Sequence, residues 1–126
     1  MRWLLLVLVL GFLLPVGLSA QSGQISLLTV SQSEDAVGGT ADIFLEIRPG
    51  SGLTFIDSFP LTRVDTQISA RFAREYACAL AEIDCDSLDF FYVIRADGGL
   101  LQGPSAGAAI TVLTYATLED LPIDES

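Results

Sequence analysis

The 126-residue chain has no histidine and no lysine, since all six of its basic side chains are arginine: Arg2, Arg48, Arg63, Arg71, Arg74 and Arg95. Without histidine, a serine–histidine–aspartate triad lacks its middle member. With only two cysteines and no histidine, a zinc site of ordinary composition is excluded as well, and no metal is expected. A Walker phosphate loop needs Gly-Lys-Ser/Thr and so cannot form without lysine. Positive charge is scarce altogether: sixteen acidic residues give a formal net charge of -10. Such a chain repels phosphate backbones and anionic lipid surfaces, so no nucleic-acid partner is expected. The length allows one domain at most.

The first segment is rich in apolar residues. Met1 to Ala20 (MRWLLLVLVLGFLLPVGLSA) places one charge, Arg2, before a leucine- and valine-rich stretch broken by Pro15, and Leu18-Ser19-Ala20 leads into polar Gln21-Ser22-Gly23. This is the layout of a secretory signal peptide. An uncleaved membrane anchor is the alternative, slightly short of the roughly 20 residues that span a bilayer. Either one puts the remainder outside the cytoplasm, secreted or membrane-anchored, with membrane contact only through this segment. The mean hydropathy of +0.54 owes much to this run, which is not core.

From Gln24 onward the pattern is that of an α+β domain, residues 24–126. Ile25 to Val30 and Ala41 to Ile47 read as strands, the second alternating Ile43, Leu45 and Ile47 against Asp42, Phe44 and Glu46. The Pro49-Gly50-Ser51-Gly52 turn leads to a third short run, Leu53 to Ile56, so the opening is expected to be a β-meander. Val64, Ile68, Phe72, Tyr76 and Leu80 then recur every fourth residue, with Ala73 and Ala77 widening the stripe. This predicts an amphipathic helix of about five turns, with Asp65, Arg71, Arg74 and Glu75 lying away from the stripe. Thr62 and Asp65 resemble an acidic capping box, starting the helix near Arg63. Asp84, Asp86 and Asp89 lack the glycine and closing glutamate of a calcium loop and read as a solvated connection. Cys78 and Cys85 fit a disulfide in an exported chain, or else Cys78 packs on the helix and Cys85 is free.

Asp89 to Ala96 (DFFYVIRA) is aromatic and β-branched and predicts a strand inside the sheet. After a glycine-rich loop, Pro104 suits the first position of a helix, into which Ile110, Val112, Leu113, Ala116 and Leu118 are expected to be mainly buried. Ser105 therefore stands at a helix N-terminus. Two local readings stay open: serine commonly caps helices, and a serine there is also suited to nucleophilic attack, because the same unpaired N–H groups can hold an oxyanion. The small residues Ala106, Gly107, Ala108 and Ala109 would let a substrate strand or another helix come close.

Gly103-Pro104-Ser105-Ala106-Gly107, between an apolar strand and a helix, resembles the nucleophile motif of Lon-type serine peptidases, especially their secreted or membrane-bound, ATPase-free archaeal branch. Asp65 to Arg71 opens a helix where that branch has a similar segment, and Gly103 to Thr111 (GPSAGAAIT) looks like its nucleophile loop and helix. Before the Gly-Pro-Ser, Gln102 stands where many relatives carry an acidic residue. The resemblance implies a two-layer domain akin to a ribosomal-protein fold, represented by its N-terminal portion. It also implies serine endopeptidase activity with Ser105 as nucleophile, and Gly103, Pro104 and Ala106 in the substrate and oxyanion loop.

The family's general base is a lysine, several tens of residues past the serine, and it has no counterpart here. With a pKa of about 10.4, an unperturbed lysine is only about a thousandth neutral near pH 7.4, so burial has to lower it before it can take the serine proton. Arginine stays protonated and cannot substitute. The lysine is expected downstream of a truncated product, and this chain alone is expected to be inactive. No cofactor is expected. The partners implied are a polypeptide substrate and other copies in a homo-oligomer. A catalytically inactive peptide-binding or assembly relative, or an unrelated secreted α+β binding domain, is the alternative.

Overall fold

Strict alternation sets the first two strands. In the computed structural model, which describes residues 19–29, 38–97 and 104–124 (only the backbone at 104 and 105), β1 (Gln21–Thr29) and β2 (Gly39–Pro49) pair antiparallel. Ala41, Ile43, Leu45 and Ile47 are buried on one face of β2, while Asp42, Phe44, Glu46 and Arg48 point to the other. The segment read as a signal peptide or anchor lies outside the described residues up to residue 18. Among the described residues no helix is long and apolar enough to cross a membrane.

β3 (Thr54–Phe59) departs from the expected meander. The sheet order is β1-β2-β4-β3, so β4 (Leu88–Ala96) lies between β2, antiparallel to it, and β3, parallel to it. Two physical causes act together. β4 is apolar on both faces, with Phe90, Tyr92 and Ile94 buried inward and Phe91 and Val93 outward, which favours a central place; β3 carries Asp57 and Ser58 and tolerates an edge. The turn after β2 is also tied to the start of β4. Asp89 Oδ1 accepts the N–H groups of Ser51 (2.8 Å) and Leu53 (2.9 Å), and Phe90 N–H donates to the Leu53 carbonyl (2.9 Å). Gly50 is required there, since a Cβ would run into the Asp89 carboxylate.

Helix α1 (Val64–Ala81) has the five turns expected, and Ala73 and Ala77 of the stripe are buried, but the large members of the stripe are turned outward. Its buried residues are Thr66, Ala70, Ala73, Arg74, Ala77 and Cys78, whereas Val64, Ile68, Phe72, Tyr76 and Leu80 are 48–69% or, for Phe72, 70% exposed. The inward face of the sheet already carries the bulk, in Ile43, Leu45, Ile47, Phe90, Tyr92 and Ile94, so only methyl-sized side chains fit between it and the helix. Arg74 and Cys78 fix the same rotation. The Arg74 guanidinium lies 5.1 Å from the centre of the Phe90 ring and donates to the Cys85 carbonyl (2.8 Å), while Glu75 and Asp86 neutralise it. Its Nε has no hydrogen-bond partner among the described residues. The capping box does not form either: Arg63 is the N-cap, with no side-chain cap, and Asp65 accepts from the adjacent Thr66 N–H instead. Asp65 in the first turn still favours the positive end of the helix dipole.

Helix α2 (Pro104–Leu118) lies on the same face of the sheet as α1 and buries Ile110, Leu113, Ala116 and Leu118, but Val112 is 54% exposed because it turns away from both the sheet and α1. The chain is thus an α+β domain, in whose described residues a mixed four-stranded sheet is covered on one face by two helices.

The backbone N–H groups of Leu53 and Ser51 hold the Asp89 carboxyl below its ordinary value of 3.8. Its contribution is therefore whole above that value and fades as the pH falls through the lower folded one. Asp89→Asn should be less stable than the parent near neutral pH, and urea titrations should show the difference closing below about pH 4. A difference independent of pH would contradict this.

Candidate functional site

α2 starts at Pro104, the ring's fixed φ and missing N–H suiting the first helical position, so Ser105 falls in the first turn of a fifteen-residue helix. The side chains of Pro104 and Ser105, and Gly103 and Gln102 altogether, lie outside the described residues, so the substrate loop expected at 103–104 is not described. Ala106 is described: its methyl is 1% exposed and belongs to the core. Any role it has in an oxyanion loop falls to its backbone N–H, one of the first four of the helix, which have no acceptor within the helix itself.

The small residues after Ser105 receive a helix. A Cβ on Gly107 would come within 3.2 Å of the Ser69 Cβ, so α1 and α2 touch there, at the start of α2. Further along, Thr111, Thr114 and Thr117 donate their hydroxyls to the carbonyls of Gly107, Ile110 and Leu113, at 2.9, 2.6 and 2.7 Å. Thr114 also holds α2 to the sheet. Its one proton goes to Ile110, so at 2.8 Å it accepts from the Tyr92 hydroxyl on β4. Burial pushes the Tyr92 phenol up to about 12, leaving it a donor throughout the physiological range. This buried link between the central strand and the helix of Ser105 was missed in the sequence, where only the three-residue spacing of the threonines pointed to it.

The two carboxylates nearest in sequence are not brought to Ser105 by the helix. Glu119 follows the last residue of α2, about 20 Å along the axis from Ser105 at 1.5 Å per residue. Asp97 closes the β2–β4 ladder, its N–H donating to the Thr40 carbonyl (2.9 Å), and is exposed. The polar aspartates have structural roles: Asp84 caps the 3-10 turn Cys85–Ser87 by accepting from Asp86 N–H (3.0 Å), and Asp89 holds the β2–β3 turn. Cys78 and Cys85 are joined by a disulfide with Cα atoms 6.0 Å apart, which ties the last turns of α1 to the approach of β4.

Among the described residues, concavities lie elsewhere. A cleft of about 490 Å³ sits between residues 21–24 of β1 and residues 116, 117 and 120–123 around the end of α2, the end remote from Ser105. On the uncovered face of the sheet, Phe44, Phe91 and Val93 border a depression of about 450 Å³. Phe91 stacks on Phe55 with centroids 4.7 Å apart, and Arg48, paired to Glu46 at 2.7 Å, lies 5.0 Å from the Phe91 ring centre. No protein-family model matches the chain, and no curated protein matches it.

Removing the disulfide as Cys78→Ser with Cys85→Ser should cost about 2.5 kcal/mol in urea unfolding, the entropy of a loop this short. A loss near zero would mean that the bridge does not constrain the unfolded chain. Tyr92→Phe should cost about 1 kcal/mol, because Thr114 keeps its bond to Ile110 when the phenol is gone. Ultraviolet titration of the parent should show one tyrosine, absent in that variant, that ionises only near pH 12.

Proposed function

We infer that this chain is the serine-bearing part of an exported, Lon-type serine endopeptidase, with Ser105 as its nucleophile. The observation that carries the reading is the sequence Gly103-Pro104-Ser105, with Pro104 and Ser105 opening the helix that is the next described element after the central strand, combined with the element order of strands, helix, strand and helix. Ser105 Oγ attacks the scissile carbonyl carbon while a neutral lysine amine, supplied from outside these 126 residues, takes its proton. The new oxyanion is held by N–H groups of the first turn. The tetrahedral intermediate expels the leaving amine, which takes the proton back, and water then releases the acyl group by the same route in reverse. Burial of that lysine is needed to bring its pKa toward neutrality.

The substrate is an accessible or unfolded polypeptide, since no nucleotide motif is present in the sequence to drive unfolding. It binds in extended form at a sheet edge. Support for this comes from β1, a nine-residue edge strand without charge or proline and therefore open to a further strand.

The aromatic face around Phe44, Phe55 and Phe91 favours a second reading, in which the chain binds peptides or assembles with partners and has no catalytic activity. The test uses Ser105→Ala in a product that includes a lysine-bearing continuation or partner. A loss of peptide hydrolysis of at least about a thousandfold is expected. Unchanged hydrolysis rules Ser105 out. Binding of a peptide without hydrolysis in either protein supports the second reading.

A further inference from the structure

The outward face of α1 is, among the described residues, an extended apolar feature that neither the core nor the proposed site uses. Val64, Ile68, Phe72, Tyr76 and Leu80 form a single ridge, each about half exposed or more. Together they present on the order of 500 Å² of apolar surface, at the upper end of what a monomer exposes in one patch. We propose that this ridge is the contact through which two copies of the chain associate about a two-fold axis near Phe72.

Three observations point to a second copy as the occupant. The first is the spacing. Residues at 64, 68, 72, 76 and 80 trace one i, i+4 row, and two such rows interdigitate with each other at a crossing angle of about −50°, with ridge in groove on both sides. Phe72 is the middle of the row, so a two-fold axis there sets Phe72 against its own equivalent and Ile68 of each copy against Tyr76 of the other.

The second is charge. Among the described residues Arg48, Arg63, Arg74 and Arg95 each have a carboxylate partner, whereas Arg71 has no ion pair. It flanks the ridge in a hollow shared with Ile68, Phe72 and Glu75. A two-fold axis at Phe72 brings Arg71 of one copy toward Glu75 of the other, twice over. Glu75 already accepts from Arg74, but a carboxylate has acceptor capacity for a second arginine. In a chain of net charge -10, a carboxylate so placed on the same surface of another copy is the complement that Arg71 lacks.

The third is area. Two ridges facing each other bury about 1,000 Å², the lower limit for a specific contact, so the dimer is expected to be reversible at micromolar concentration. Among the described residues, the ridge lies apart from the edge of β1 and from the face of the sheet opposite the helices.

The test is sedimentation velocity of the full chain from micromolar to submillimolar concentration. The mass should rise toward that of two copies, and Phe72→Asp should move the midpoint at least about tenfold higher, with its thermal unfolding little changed because Phe72 is exposed. Arg71→Glu should weaken association, and an equimolar mixture of Arg71→Glu with Glu75→Arg should recover it. This charge swap carries the test even if Phe72→Asp misfolds. A mass of one copy throughout overturns the proposal. So does association indifferent to both Phe72→Asp and Arg71→Glu, which assigns the contact to another surface, residues 1–18 included. A monomeric chain that instead co-floats with neutral phosphatidylcholine vesicles, and loses this with Phe72→Asp, gives the ridge to a membrane and overturns the dimer.

Discussion

The packing of a bulky sheet face against small helix residues is the constraint from which the rest of the structure follows. Phe90, Tyr92, Ile94, Ile43, Leu45 and Ile47 fill one side of the layer, and α1 meets them with Ala70, Ala73 and Ala77. Close packing at the density of an organic crystal leaves no room for two bulky faces at that distance. The helices can then come close to each other, and Gly107 of α2 sits against Ser69 of α1. That contact fixes the start of α2, and with it the position of Ser105 in the first turn.

The central strand does several jobs because its two edges and its inner face are all engaged. Its edges pair with β2 and β3, its inner face builds the core, and Tyr92 reaches across to Thr114 on α2. Such a buried, satisfied hydroxyl pair adds direction to a contact that apolar packing alone would leave free to rotate. At one end of the strand Asp89 secures the turn that displaces β3, and just before it the disulfide secures α1. The ends of helix and strand are therefore cross-linked on both sides of the start of the central strand.

Much of the architecture was legible in the residues. The alternation over Ala41 to Ile47 located β2 and its inward side, DFFYVIRA located the interior strand, and Pro104 marked the start of α2. The helical period of α1 was legible too, but its rotation was not: large apolar residues every fourth position normally face inward, and here they face outward. The alanines, with Cys78 and Arg74, carried the competing signal, one that periodicity weighs lightly because methyl groups contribute little hydrophobicity. The meander failed for a comparable reason, since strand order depends on which strand is most apolar and on an Asp89 carboxylate 38 residues away from Ser51.

The sequence by itself determined the kinds of elements, their order, and which chemistries the chain lacks the side chains to perform, because periodicity, proline and glycine placement, and the absence of lysine and histidine act locally or by composition. Only the tertiary structure decided which strand lies beside which and which face of α1 meets the core. It also decided that Tyr92 and Thr114 meet. Those outcomes are set by volume and hydrogen-bond satisfaction between residues far apart in the chain, and no single stretch of sequence contains both partners.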